Sequence, residues 1–301
     1  MPLAFLLRRL APALLAASYL MPPATHAARE QRVVLATFQG VSEAQYRYFE
    51  KLLGRALAVT EAEYGKADVS LSPEPMSPKR MFAELQAPAG SVDVTVWTCS
   101  GPATAAASGT RMIDVPIDRG LLGYRLLLTT PNKLPLFRGV RHLDGLAGLR
   151  LTLGYPVSGL AGSARWAPLN LSDAPNMERA VDMLLADRFD GIIIAAREAE
   201  ELMSRLDGRT QGVVIEPTLM LTDHGASCFV ASAREASLAA RIDKGLRRLI
   251  GNGEAARLAR TEHLDSVVRR FKLAGRTVVA LPTEASQRSW HSQFRQWMLP
   301  Y

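Results

Sequence analysis

The chain predicts a two-lobed α/β fold, in which two α/β sandwiches are joined by two extended crossings with a cleft between them. Three observations lead there. Residues 112–128 (MIDVPIDRGLLGYRLLL) hold two β-rich runs, 113–117 and 124–128, around an Asp-Arg-Gly turn region. No helix lies between those runs to make an ordinary βαβ crossover, so the chain leaves one sheet and enters another. A second run, 213–230, supplies the return passage. The N-terminus reads as a secretory leader, and an exported pair of lobes around a cleft is the architecture of a binding protein.

The leader, residues 1–28, carries Arg8 and Arg9 before an apolar run at 10–21, with small residues at 24–28. That run is too short to span a bilayer as a stable helix, and Pro22-Pro23 ends it. An uncleaved anchor is the bland alternative. No later segment approaches about 18 uninterrupted apolar residues, so the mature chain is expected to be soluble and exported. The division expected is 29–117 with 225–301 for the first lobe and 118–224 for the second. At 301 residues and 48% hydrophobic content, each can build a core.

The formal charge of +7 loses two positive charges with the leader. The rest are dispersed. Arg47, Lys51 and Arg55 share one predicted helix face, and Arg241, Lys244, Arg247 and Arg248 share another. Solvated faces explain both, and no interleaved aromatics offer stacking for bases, so nucleic acid is excluded as a partner. The two cysteines, Cys99 and Cys228, leave a disulfide and two buried thiols both open, while a metal site from so distant a pair is disfavoured.

Element by element, 32–38 is the first buried strand. Ser42 is placed to cap a helix, with Gln45 in capping-box position. Tyr48, Phe49, Leu52, Leu53 and Ala56 then follow at helical spacing. Residues 69–71 form a short strand. Ser77-Pro78 starts a second helix with Met81, Phe82 and Leu85 inward, and 93–97 is the third strand. Past the first crossing, 124–130 and 149–153 are strands, separated by a loop and a short segment at 142–146. A glycine-bearing turn at 154–159 leads into a helix through Trp166. Asn176 caps the next helix, with Ala180, Val181, Met183 and Leu184 inward. Residues 192–195 are a strand, 198–206 a helix, and 213–215 begin the return. Residues 228–231 re-enter the first lobe. Leu238, Ile242, Leu246, Leu249 and Ile250 make a helical stripe that Gly251-Asn252-Gly253 stops. A further strand covers 277–281. Trp290, Phe294 and Trp297 recur at i, i+4, i+7, a spacing read as core packing or lobe cladding rather than a ligand site.

Four patterns carry a family likeness: 92–97 before the first crossing; Pro116-Ile117 with 120–125; Met183-Leu184 with Arg188-Phe189-Asp190; and 238–253. On these the chain resembles the type II periplasmic solute-binding proteins, nearest the polar amino-acid-binding group. The resemblance implies a Venus-flytrap receptor that binds a small-molecule ligand between its lobes and serves an inner-membrane ABC permease, as a monomer without a cofactor. Ligand contacts with both lobes exist only in the closed state, so binding drives closure. Amino-acid-binding members grip the α-carboxylate with an arginine after the third strand, chemistry that guanidinium suits. Here 101–110 holds no basic residue, and Arg111 lies several positions late. Their acidic residue for the α-ammonium corresponds here to Ala195 and Ala196, followed by Arg197 and Glu198. Both halves of that clamp are missing, so the ligand is expected to be a small polar or anionic solute other than a standard α-amino acid.

Cleft-facing positions fall at the carboxyl ends of strands, where helix N-termini also point. These are Phe38, Gln39, Trp97, Thr98 and Ser100 in the first lobe, and Tyr155, Ser158, Gly159 and Arg197 in the second. Ser158 and Gly159 open a helix whose free N–H groups suit an anion, against the plainer reading of a capped helix over water. Trp97 stacks on a ligand or sits in the core. Gln39 contacts ligand or is an ordinary loop residue. Arg125 reads as a structural ion pair near the hinge, Asp118-Arg119 as a solvated turn, and Arg188 with Asp190 as a helix-to-strand turn. Catalytic readings fare badly. His142, His224, His263 and His291 are scattered without HExxH spacing, and Ser158 lacks a nucleophile elbow. Residues 251–256 imitate a dinucleotide fingerprint but follow a helix. Glu198, Glu200 and Glu201 share a surface helix. No enzymatic activity is expected. The rival functions are a sensory receptor of the same fold, signalling to a membrane kinase, and an enzyme built on the fold with Glu198 or Asp190 as its acid.

Overall fold

A computed structural model of the chain describes residues 30–38, 43–99, 109–154, 165–205, 212–283 and 285–300. The leader, Ser42, Gln39, Ser100, Tyr155, Ser158 and Gly159 lie outside these residues.

Strand β1 (Gln31–Leu35) leads to α1 (Glu43–Ala58), the short α2 (Glu61–Tyr64), β2 (Ala67–Leu71), α3 (Pro78–Gln86) and β3 (Val94–Cys99). Strand β4 (Thr110–Met112) precedes the first crossing. Ser77 caps α3, its side chain accepting from the Arg80 N–H, so one otherwise orphaned donor is satisfied. β1 pairs parallel with β2 and with β3. β10 (Ala226–Ser232), from far along the chain, inserts antiparallel between β3 and β4. The first sheet therefore has the order β2-β1-β3-β10-β4.

Past the first crossing come β5 (Tyr124–Thr129), β6 (Leu151–Thr152), α4 (Met177–Leu185), β7 (Gly191–Ala195), α5 (Ala196–Arg205), β8 (Val214–Ile215) and β9 (Leu219–Thr222). Asn176 caps α4 by accepting from the Arg179 N–H at 2.9 Å. After β10 follow α6 (Ala236–Gly251), α7 (Glu254–Thr261), α8 (Ser266–Arg270), β11 (Thr277–Ala280) and α9 (Ala285–Gln293). The second sheet runs β11-β9-β5-β7-β6, with β8 pairing β5 off that path. β7 is buried along its whole length, as its unbroken Gly-Ile-Ile-Ile-Ala requires of a strand covered on both faces.

Four expectations are corrected. Residues 113–117 are not a strand: Ile113 and Ile117 each donate to β10, to Phe229 O and Ser227 O at 2.8 Å, but Pro116 has no N–H to continue the ladder. Strand β11 pairs parallel with β9 in the second sheet, although 225–301 was assigned to the first lobe. The chain thus passes between the sheets again after β10. Arg241 is not on a solvated face. It is 1% exposed, and its guanidinium donates to Thr60 Oγ1, Gln31 Oε1, Leu57 O and Gly65 O. Asp118 and Arg119 do not form a solvated turn: Asp118 is buried and Arg119 pairs with Asp265.

The α6 stripe packs as its spacing predicts, with Leu238, Ile242, Leu246 and Leu249 buried. It lies against α1 so closely that a Cβ on Gly245 would fall 2.1 Å from Ala56 O. Only glycine admits that approach. Exposed ion pairs Lys51–Glu262 and Arg55–Glu254 tie α1 to α7 and its C-cap. Cys99 and Cys228, on β3 and β10, form a disulfide with Cα atoms 5.7 Å apart, which closes the alternative left open by the sequence. One apolar cluster runs from Leu35 and Phe229 in the first sheet and Leu53 of α1 to Leu126 and Ile194 in the second sheet. It includes Trp290, Phe294 and Trp297, the cladding stripe of the C-terminal segment.

Candidate functional site

The site follows from how the two sheets meet. The first crossing leaves Ile117 and enters β5 at Tyr124, and the second leaves β9 and enters β10 at Ala226. Buried Asp118 organises the first. Its Oδ1 accepts from Gly120 N, and its Oδ2 from Leu122 N and Ser227 Oγ, each at 3.0 Å. Burial pushes its pKa up, and these hydrogen bonds oppose the rise. Asp223 organises the second crossing, its Oδ1 accepting from Gly225 N at 2.9 Å. Gly123 and Gly225 pack backbone on backbone: a Cβ on Gly123 would stand 2.6 Å from Gly225 O.

At the same end of the second sheet lies a group of charges. The register sets Arg125 of β5 opposite Ala195, the last residue of β7. The fully buried Asp223 carboxylate receives Arg125 Nε and Nη2 at 3.2 Å, and Arg165 Nη1 at 2.9 Å, all on Oδ2. The Arg125 guanidinium also lies 5.3 Å from the Trp166 ring centroid, a cation–π distance. Glu198 stands in the first turn of α5. Its carboxylate lies near the Ala195 N–H, at the N-terminus of the helix. Part of Glu198 meets solvent, yet burial is the largest influence on its carboxyl and raises its pKa, against Arg125 and the Ala195 N–H.

The opposite side of the junction is a polar knot. Tyr48 of α1 donates to Ile117 O at 2.7 Å. Burial, with the Asp118 and Asp265 carboxylates nearby, pushes its hydroxyl pKa well up. Arg119 binds Asp265 and donates from Nε to Trp297 O at 3.1 Å. Arg197 of α5 donates to Leu264 O at 3.2 Å, between α7 and α8. The C-terminal segment lies across both crossings. Trp290 and Trp297 donate from Nε1 to Asp114 O and Pro116 O, at 3.2 and 2.7 Å. Tyr124 donates to Leu299 O at 2.8 Å, and Leu299 N to Arg119 O at 3.0 Å.

Among the described candidates, Phe38 and Trp97 come together edge to face at 6.5 Å, and Trp97 also meets Phe82 at 5.0 Å. Trp97 thus packs in an aromatic group beside the end of β3. Thr98 is exposed next to it. Arg197 does not join them, because its guanidinium turns to the Leu264 carbonyl. Arg125 is the structural ion pair that its position beside the crossing predicted. Arg165 and Asp223 were not singled out from sequence. Asp223 had a signal, a lone carboxylate in an Asp-His-Gly turn at the second crossing, whereas nothing marks Arg165. Among the described residues no group of three or more His, Cys, Asp or Glu side chains is placed to hold a metal, and no helix is long and apolar enough to cross a membrane.

No protein-family model matches the chain, and no curated protein matches it. Among solved structures it is similar to an amino acid ABC transporter substrate-binding protein from Streptococcus pneumoniae bound to L-arginine, at 15% identity over 77% of this chain and 93% of that one, with a TM-score of 0.47. It is similar to the GluR0 ligand-binding core complexed with L-glutamate, at 13% identity over 78% and 98%, with a TM-score of 0.49. A histidine kinase sensor domain with similarity to periplasmic binding proteins shares 14% identity over 77% and 95%, with a TM-score of 0.49. The two-sheet arrangement stands on the strand pairing described above, and no ligand carries over from these proteins.

Proposed function

We propose that this chain is an exported, monomeric solute-binding protein that closes two lobes over a small polar or anionic solute and presents it to an inner-membrane ABC permease. Residues 29–117 and most of 225–301 make one lobe, and 118–224 with β11 make the other. The observation that carries the reading is the junction: two short crossings packed glycine on glycine, with Arg125 and Arg165 on a single carboxylate at the adjoining end of the second sheet. Two guanidinium groups gathered at one carboxylate concentrate charged hydrogen-bond donors at this end of the sheet, which favours an anionic or polar group on the solute. The buried Cys99–Cys228 disulfide favours an oxidising compartment, in keeping with a periplasmic location. Phe38, Trp97 and Thr98, with Gln39, Ser100, Tyr155, Ser158 and Gly159, are the proposed lining, and no turnover is assigned to it.

A signalling role is the second reading, favoured by the C-terminal segment that touches both crossings and could report a change in their angle to a membrane kinase. A ligand panel of dicarboxylates, phosphate, sugars and polar amino acids, read by melting temperature, tests the common premise, because a solute bound to the native state must stabilise it. A rise with an anionic member supports the reading; no rise with any member overturns it. Co-purification of the permease from detergent-solubilised membranes then separates transport from signalling.

A further inference from the structure

The C-terminal segment is held to the first crossing by the Trp290, Trp297 and Leu299 hydrogen bonds, and to the second by a pair of imidazoles. His224 lies in the second crossing between Asp223 and Gly225, with a left-handed φ of 55°. His291 is on α9, and the two ring centroids are 4.6 Å apart. We propose that His224 and His291 form an acid-released clasp that holds α9 against the second crossing when both rings are neutral and frees it when they are protonated. The clasp does not depend on which solute the cleft takes.

The surroundings set the sign. Asp223, the carboxylate beside His224, is already engaged by Arg125 and Arg165. Arg288 of α9 brings a further positive charge to His224, and each imidazole faces the other. A proton added here therefore meets positive charge, and the carboxylate that acts on His224, Asp223, already serves two guanidinium groups. Burial lowers the pKa of His224, with Asp223 opposing and Arg288 reinforcing. Burial also lowers that of His291, with His224 adding to it. A histidine held low in the docked state binds fewer protons there than when released. Docking is thus unpenalised above the free imidazole value near ~6.5 and weakens as pH falls below it, until the docked rings themselves titrate.

Hydrogen exchange of residues 285–300 in the full-length protein, corrected for the intrinsic pH dependence of exchange, reads the clasp directly. Between about pH 7.5 and about pH 5, protection of α9 should fall by roughly fivefold to tenfold in the wild type. The His224→Asn, His291→Gln double variant should lose less than about half as much, asparagine being chosen because it tolerates the left-handed backbone. A flat wild-type profile, or a double variant that follows the wild type, overturns the proposal. Should the variants fail to fold, the wild-type midpoint still decides: one near or below about pH 4 belongs to carboxylates and overturns it equally.

Discussion

Gly123 and Gly225 stand face to face at the meeting of the two sheets, each on a different crossing, at a separation that leaves no room for a side chain on the first. The contact fixes how closely the two crossings can approach each other. Gly123→Ala forces the added methyl against Gly225 O and N, 2.6 and 2.8 Å away. It should destabilise the protein by about 1–3 kcal/mol through overpacking, visible as a lower midpoint of chemical denaturation with an unchanged slope. An unshifted midpoint would show that the crossings part easily.

The disulfide joins residues 129 apart in sequence across the first sheet. Replacing both partners, Cys99→Ala with Cys228→Ala, should cost about 2–5 kcal/mol. Calorimetry of the variant against the wild type, and of the wild type with and without reductant, would measure it. Equal melting temperatures would mean that the packing of β3 on β10 suffices alone.

Arg165 meets Asp223 through one nitrogen while Arg125 holds the same oxygen through two. Arg165→Gln therefore leaves the buried carboxylate paired and should preserve the fold. For whichever anionic solute stabilises the wild type, titration calorimetry should show affinity falling by about tenfold or more, as expected for loss of a charge-assisted hydrogen bond. Unchanged affinity would remove Arg165 from the site.

Asp190 accepts from Arg150 N, Nε and Nη2 at 2.8, 3.2 and 2.7 Å. Hydrogen bonding from the Arg150 side chain is the first cause holding its carboxyl below the usual range, and burial opposes it. A carboxylate with a depressed native pKa adds stability above the unfolded value near ~3.9, and that stability is lost as pH falls through the native value. Asp190→Asn should lower stability at neutral pH and flatten the acid limb of a stability–pH curve. A parallel acid limb in both proteins would count against the pair.

Much of this fold was legible because local rules and tertiary demand agree. The Ser77 and Asn176 caps sit where a side-chain oxygen before an apolar run places them, and the stripe from Leu238 to Leu249 buries the face that its period marks. The failures have particular causes. Strand β11 is a short Thr-Val-Val-Ala edge, and nothing local says which of two sheets it will join. Arg241 lies on a helix with Lys244, Arg247 and Arg248, and a charge pattern does not reveal which guanidinium meets four acceptors from distant parts of the chain. Asp118 and Arg119 read as turn residues because their partners, Ser227 and Asp265, are more than a hundred positions away. At the site, Arg125 was read from its place beside a crossing. Arg165 was not, since its role exists only once Asp223 is brought beside β5.

The placing of β10 and β11 also bears on how the polypeptide is made. The first sheet is incomplete until β10 has slid between β3 and β4, and the second lacks its edge until β11 arrives close to the end. Synthesis runs from the N-terminus, and units ordinarily fold as they emerge. Neither sheet can therefore be completed before these two strands have emerged, and the earlier part of the nascent chain has little finished structure to settle into until then.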